Sequence, residues 1–138
     1  MTDAAHSDDL VIGVDIGGTK VAAGLVDAAG KIIRQVRHPM ISDGDAAQGF
    51  EAVQNAIDAL LAADLKKAQH GIGICSPGPL DPTAGVVINP PNLPCWRNFP
   101  LAHESGRVYG LPVKLDNDAN AAGLAEAARD ARVALHVN

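Results

Sequence analysis

Aromatic residues are scarce in this chain of 138 residues: one Trp, one Tyr and two Phe, 3% in all. Stacking platforms for nucleobases or broad sugar faces are therefore few, and the core has to be aliphatic and filled out with alanine. Cysteine is scarce too. Cys75 and Cys95 form no C-x-x-C pair and the five histidines are dispersed, so neither a zinc site nor a disulfide framework is signalled, and buried or idle thiols are the plain reading. No apolar run approaches the ~18 residues of a membrane span, which sets membrane function aside. Eleven basic against sixteen acidic side chains give a formal charge of −5. That balance opposes binding to nucleic-acid phosphates, and no local basic patch stands out to rescue it. Met1 to Asp9 shows no basic stretch followed by an apolar one, so no secretory signal is read, and a frayed leader over residues 1–9 and a cytoplasmic setting are expected.

What is present, 47% hydrophobic and 20% charged residues, suits one soluble globular domain large enough to bury a core without staples. Leu10 to Ile16 is a short aliphatic run closed by Gly17 and Gly18 and reads as a buried strand; Val21 to Val26 repeats it. After an Asp27–Gly30 turn, Lys31 to Arg37 alternates loosely and predicts a third strand with one wet face, ended by Pro39. Three strands with short connections make an antiparallel meander. Asp45 and Gln48 have the form of a capping box. Phe50, Val53, Ile57, Leu60, Leu61 and Leu65 then recur at three- and four-residue intervals on one helical face. His70 to Ser76 is again short and apolar and, following a helix, predicts a strand parallel to an earlier one. Pro77 to Pro94 holds six of the nine prolines and should be irregular apart from a short arm around Val86, Val87 and Ile88. A short helix over Leu101 to Val108 interrupted by Gly106, a strand over Pro112 to Asp116, an alanine-rich helix over Asn117 to Asp130 with Gly123 inside, and a strand opening at Val133 to Val137 complete the expected order.

Three segments have the residue types of a site. Asp15-Ile16-Gly17-Gly18-Thr19-Lys20 places two glycines at a strand end, where backbone N–H groups can point at an anion, with a hydroxyl and an ammonium beside them. It is neither a P-loop nor a dinucleotide fingerprint. Asp15 would stand where a Mg²⁺ shared with phosphates could be held, directly or through water; a plain hairpin turn with an exposed lysine explains the same residues. Asp116-Asn117-Asp118-Ala119-Asn120 lies at a strand-to-helix junction, where parallel α/β sheets bind ligands. There Asp118 could take a proton from a hydroxyl attacking phosphorus, and Asn117 could fix a neighbouring hydroxyl. Helix capping accounts for one of these polar residues and leaves the others over. Ser76 to Asp81 and Asn89 to Trp96 are rigid turns that can wall a small polar ligand, with Asn92 offering hydrogen bonds, or simply be structural loops.

Taken in order, Asp-Ile-Gly-Gly-Thr-Lys, Pro-Gly-Pro-Leu-Asp, Asn-Leu-Pro-x-Trp and Asn-Asp-Ala-Asn-Ala-Ala resemble the ROK family of bacterial sugar kinases and regulators, especially its glucokinases, from about Val11 to Glu126. The resemblance implies an α/β fold: the amino-terminal lobe of an actin-like ATPase (ribonuclease H-like). Such a lobe has a mixed sheet, three antiparallel strands first and parallel strands after, with helices on its faces. It implies a lobe over residues 10–132, with 133–138 opening a second lobe. By the same resemblance, Gly13, Val14, Asp15, Ile16, Gly17, Gly18, Thr19 and Lys20 form the first phosphate-binding segment for ATP, with Asp15 near Mg²⁺. Asp118 matches the general base, Asn117 and Asn92 match sugar-contacting asparagines, and Gly78 lies in the turn that approaches the sugar. Glu126 matches a recurrent position with no chemistry attached.

The family's second phosphate loop, Glu-x-x-His sugar contact and zinc-binding cysteines do not occur in these 138 residues, so zinc is expected only in a second lobe. What the resemblance implies is ATP-dependent phosphorylation of a hexose, most simply glucose at its 6-hydroxyl, by a full-length form, with this chain silent alone. The alternative is a non-catalytic sugar-responsive or assembly module. A helix-turn-helix does not fit into Met1 to Asp9, so no nucleic-acid partner is expected. Self-association through apolar surface along the alanine-rich helix is expected as well.

Overall fold

The computed structural model describes residues 9–62, 68–118 and 123–137. Ten elements follow in chain order: β1 (Leu10–Ile16), β2 (Lys20–Val26), β3 (Ile32–Pro39), α1 (Ala46–Leu61), β4 (Gln69–Ser76), β5 (Leu80–Asp81), β6 (Val86–Val87), α2 (Leu101–Tyr109), β7 (Val113–Asn117) and α3 (Leu124–Ala134). Five strands make one sheet in the order β3-β2-β1-β4-β7. β1, β2 and β3 pair antiparallel, as their short connections dictate, while β4 and β7 join parallel to β1 because each returns after a helix. This is the mixed sheet expected for the amino-terminal lobe of an actin-like ATPase fold. β5 and β6 form a separate two-stranded ladder in the proline-rich segment.

Strand alternation gives the sheet two different faces. Leu10, Ile12, Val14 and Ile16 of β1 join Ile72 and Ile74 of β4 and Leu115 of β7 in a core with Val53, Ile57 and Leu60 of α1. The capping box forms: the Asp45 carboxylate accepts from the Gln48 N–H and the Gln48 side chain accepts from the Asp45 N–H, each at 2.8 Å. At the other end of α1, Arg34 of β3 donates from Nε to the Leu60 carbonyl at 3.0 Å and from Nη2 to the Ala59 carbonyl at 3.2 Å. It satisfies acceptors that a helix end leaves without an internal partner.

On the opposite face α3 crosses β1 and β4, and its Leu124, Ala128 and Ala131 pack with Val11 and Val26. Here the strands carry glycine. A Cβ at Gly13 would collide with the Leu124 carbonyl, and one at Gly73 with the Ala127 carbonyl, so the helix backbone rests directly on the strands.

Three expectations are corrected. The last helix does not run from Asn117 to Asp130: Asn117 ends β7 and Gly123, at φ 97°, is the N-cap of α3, while residues 119–122 lie outside the described residues. Val133 to Val137 is not a strand. Val133 and Ala134 finish α3, and the chain turns as Leu135 N–H donates to the Ala131 carbonyl and Val137 N–H to the Arg132 carbonyl. A five-residue apolar run has no decisive period, and Leu135 settles it by packing onto the α3 face beside Gly71. Gly106 does not interrupt α2, which ends at Gly110 with φ 65°.

Along α3, Ala127, Ala128 and Ala131 are buried against the sheet, while Val133 stands exposed. The exposed large hydrophobics among the described residues are Ile32, Ile33, Val108 and Val133.

Candidate functional site

The carboxyl ends of β1, β4 and β7 lie side by side, with Asp15 opposite Cys75, Cys75 opposite Asp116, and Ser76 opposite Asn117. Loops leaving these ends share one sheet edge, the place where open α/β sheets hold ligands. The turn after β1 is a hairpin turn: Gly17 N–H donates to the Lys20 carbonyl at 2.8 Å, and the Thr19 carbonyl accepts from Met40 N–H at 2.9 Å. Thr19 and Lys20 are exposed. The amides of Gly18 and Thr19 have no described partner, so the turn retains two donors that can face an anion even though Gly17 spends its own.

The eight-residue segment from Gly13 to Lys20 divides. Gly13 lies beneath α3, and Val14 and Ile16 are buried in the α1-side core. Their part is to hold the strand; Asp15, Gly17, Gly18, Thr19 and Lys20 are the members at the edge.

Close approaches tie the other segments to this edge. A Cβ on Gly18 would stand 3.3 Å from the Asn92 carbonyl oxygen, and one on Gly78 would stand 2.5 Å from Nδ2 of Asn117. Glycine at 78 therefore leaves room for the Asn117 amide. Asp118 N–H donates to the Ser76 carbonyl at 3.1 Å, fastening Asp118 just past the end of β4 with its side chain exposed. Asn92 is exposed and Asn117 half-buried. Trp96 is no sugar platform. It is buried, stacks on Phe99 with ring centroids 5.2 Å apart, and donates from Nε1 to the Ala46 carbonyl, which pins the proline-rich loop to α1. Ala119 and Asn120 lie outside the described residues.

Electrostatics bring the two ends of the chain together at one carboxylate. Asp15 is held above the ordinary carboxylate range, first by burial, then by the charge of Asp118, with Glu126 adding to the rise and Arg37 opposing it. The early glycine turn and the late acidic tip thus stand at one sheet edge, with Asp118 within electrostatic reach of Asp15. Beneath them the Cys75 thiol is pushed up to about 12 by burial and by the charges of Asp15, Asp118 and Asp116, against a hydrogen bond from the Gly123 backbone. It is a neutral floor to the site.

On the other side of Asp15 the sheet edge is basic. An open recess of about 220 Å³ is lined by Asp15, Gly17, Thr19, Lys20, Ala22 and Arg37, and an adjoining one of about 200 Å³ by Thr19, Lys20, Arg37, His38 and Pro39. This local cluster of basic groups is invisible in a linear reading. Lys20 starts β2 and Arg37 and His38 end β3, so only pairing brings them together. Glu126, matched by resemblance without a role, also comes within electrostatic reach of Asp15. The signal that could have found Arg37 is the register Asp15–Ala22–Arg37, which requires the pairing of three strands to be known first.

Among the described residues no group of three or more His, Cys, Asp or Glu stands together to hold a metal ion. A Mg²⁺ here would fit only as an ion that keeps most of its waters and shares phosphate oxygens with a nucleotide, with Asp15 as the carboxylate nearest it.

The chain is similar to known proteins over most of its length. Residues 11–136 match the model of the ROK family. The chain is 38% identical over 116 residues to a glucokinase from Thermotoga maritima, covering 84% of this chain and 36% of that protein. It is 36% identical over 115 residues to an N-acetylmannosamine kinase from Escherichia coli O157:H7, covering 83% of this chain and 38% of that one. Among solved structures it superposes on a ROK family glucokinase from Streptomyces griseus in complex with glucose and AMPPNP, with a TM-score of 0.71 and 36% identity, covering 81% of this chain and 34% of the other. The chain spans about a third of the length of these relatives.

Proposed function

This chain belongs to the ROK family, and on that premise we propose that it is the sugar-facing and first phosphate-facing lobe of an ATP-dependent hexose kinase, acting on glucose at the 6-hydroxyl. The observation that supports the reading is one sheet edge: the Gly17–Thr19 turn follows Asp15 directly, and Asp118, from the far end of the chain, comes within electrostatic reach of the same carboxylate. Asp118, exposed and anchored through its backbone to Ser76, is free to accept the proton of an attacking hydroxyl. In a loose phosphoryl transfer that proton leaves late, so placing the hydroxyl matters more than a strong base. Asn117 and Asn92 supply the hydrogen bonds that orient the sugar, and Gly78 keeps the Asn117 amide clear. The free amides of the glycine turn, with Lys20, receive the phosphates of ATP. Asp15 is the residue that would hold the water shell of a Mg²⁺, which would supply neutralisation of the phosphate charge.

A chain that supplies one lobe of such a kinase should not turn over by itself, because phosphoryl transfer requires closure that excludes water. In a coupled assay with glucose and ATP-Mg²⁺, the 138-residue chain is expected to stay at background. When joined to the remaining two-thirds of a ROK glucokinase it gains activity, which Asp118→Asn lowers by about 10²–10⁴-fold. Activity that survives Asp118→Asn removes Asp118 from this role.

The second reading is a sugar-responsive module without catalysis, and it is favoured by 35% identity over 122 residues to a putative xylose repressor from Caldicellulosiruptor. That reading expects sugar binding indifferent to ATP, whereas the kinase reading expects the two ligands to influence one another.

A further inference from the structure

Two arginines on one edge strand meet different fates. Arg34 and Arg37 are three residues apart on β3, so alternation sends them to opposite faces of the sheet. Arg34 turns to the α1 side and is consumed by the Ala59 and Leu60 carbonyls. Arg37 lies on the face that carries Asp15. It is exposed, and no hydrogen bond or ion pair among the described residues engages its guanidinium. Arg107, Arg129 and Arg132, by contrast, each have a carboxylate or carbonyl partner.

The row that connects Arg37 to the site is Asp15–Ala22–Arg37, one residue from each of β1, β2 and β3. Only a methyl group stands between the carboxylate and the guanidinium. A larger residue at 22 would wall Arg37 off; alanine lets the long side chain lean across β2 over the recess that Thr19 and Lys20 also line. Charge then decides what the recess can hold. Asp118, just past β7, adds negative charge to Asp15 from the β4–β7 side, so an anion is repelled there. On the other side Lys20 and Arg37, which make no side-chain hydrogen bond or salt bridge among the described residues, line the recess beside the open amides of the glycine turn, and an oligophosphate is the ligand whose charge and length match.

Building on the kinase reading, we propose that Arg37 is a phosphate-binding residue that, together with Lys20, holds the terminal phosphates of the donor nucleotide in the recess beside the Gly17–Thr19 turn. An edge-strand arginine spent in this way sets the phosphate tail on the far side of Asp15 from the sugar asparagines, so the phosphates and the accepting hydroxyl approach from opposite flanks of the same carboxylate.

The test is calorimetric titration of the chain with inorganic tripolyphosphate, with ATP-Mg²⁺ and, separately, with glucose. Arg37→Ala is expected to weaken tripolyphosphate and ATP-Mg²⁺ binding by about fivefold, the scale of one exposed ion pair, and to flatten its dependence on salt. Arg37→Lys should restore most of it. Glucose affinity should not move, and Arg107→Ala, remote on α2, should bind all three as the parent does. If Arg37→Ala binds phosphate as well as the parent while Lys20→Ala does not, Arg37 loses its role and the turn keeps its own. A parallel fall in glucose affinity makes Arg37 structural and overturns the proposal. If the parent chain binds neither phosphate ligand, the inference and the phosphate reading of the turn fall together, whereas retained phosphate binding with no glucose binding sinks the hexose reading alone.

Discussion

The two faces of the sheet solve the same packing problem by opposite means. Beneath α1 the strands carry Leu10, Ile12, Val14, Ile16, Ile72 and Ile74, and the helix stands off on a layer of branched side chains. Beneath α3 they carry Gly13 and Gly73, and the helix lies backbone against backbone with alanines between. The first face is bought with hydrophobic area, the second with proximity. Proximity is what the site needs: a helix held this close brings Glu126 within reach of Asp15, and Gly123 against Cys75.

The contrast predicts different failures on the two faces. Ile57→Ala on the α1 side leaves a cavity that cannot collapse and should cost about 2–5 kcal/mol in denaturant unfolding, with Cys75 still shielded from thiol reagents in the native state. Gly73→Ala drives a Cβ into the Ala127 backbone carbonyl and should also destabilise, by at least about 1–3 kcal/mol. Because the added methyl pushes α3 off β4, however, native Cys75 should become reactive; a Cys75 that stays unreactive would show that the helix does not depend on glycine there. Asp45→Ala removes only the α1 cap and should cost about 1 kcal/mol with no effect on the α3 side.

The smallest effect has the opposite sign. Folded Asp15 holds its proton more tightly than the unfolded chain does, so at neutral pH the native state carries a carboxylate it would rather not ionise. Asp15→Asn should therefore raise the melting temperature at pH 7. The gain should shrink as pH falls through the folded value and vanish below the ordinary carboxylate range, where both states are protonated. A gain independent of pH would place the cause elsewhere.

Much of the α1 face was legible in the residues. The three- and four-residue spacing from Phe50 to Leu60 and the Asp45–Gln48 pair announce the helix and its start, and the short aliphatic runs closed by glycine announce β1, β2 and β4. Those signals are local: each needs only a period or a cap. The α3 face was read less well because its signals are not local. Gly123 looks like a helix-interior residue until its positive φ makes it a cap. Val133 to Val137 looks like a strand until Leu135 finds Gly71.

The site divides along the same line. Asp15, Gly17, Gly18, Gly78, Asn92, Asn117 and Asp118 stand out as residue types in telling places, and from them the sheet edge and the family resemblance follow. Arg37 does not stand out, nor does the basic flank it shares with Lys20 and His38.

The order of strands and helices as far as α3, the buried α1 stripe and the kinds of group at the loop ends were determined by the sequence itself, because backbone preference and hydrophobic period act over a few residues. Which face each arginine takes, how closely α3 lies on β1 and β4, and the meeting of Asp15 with Asp118 and Arg37 were decided only by the tertiary structure. Those relations depend on strand register and on contacts between residues far apart in the chain.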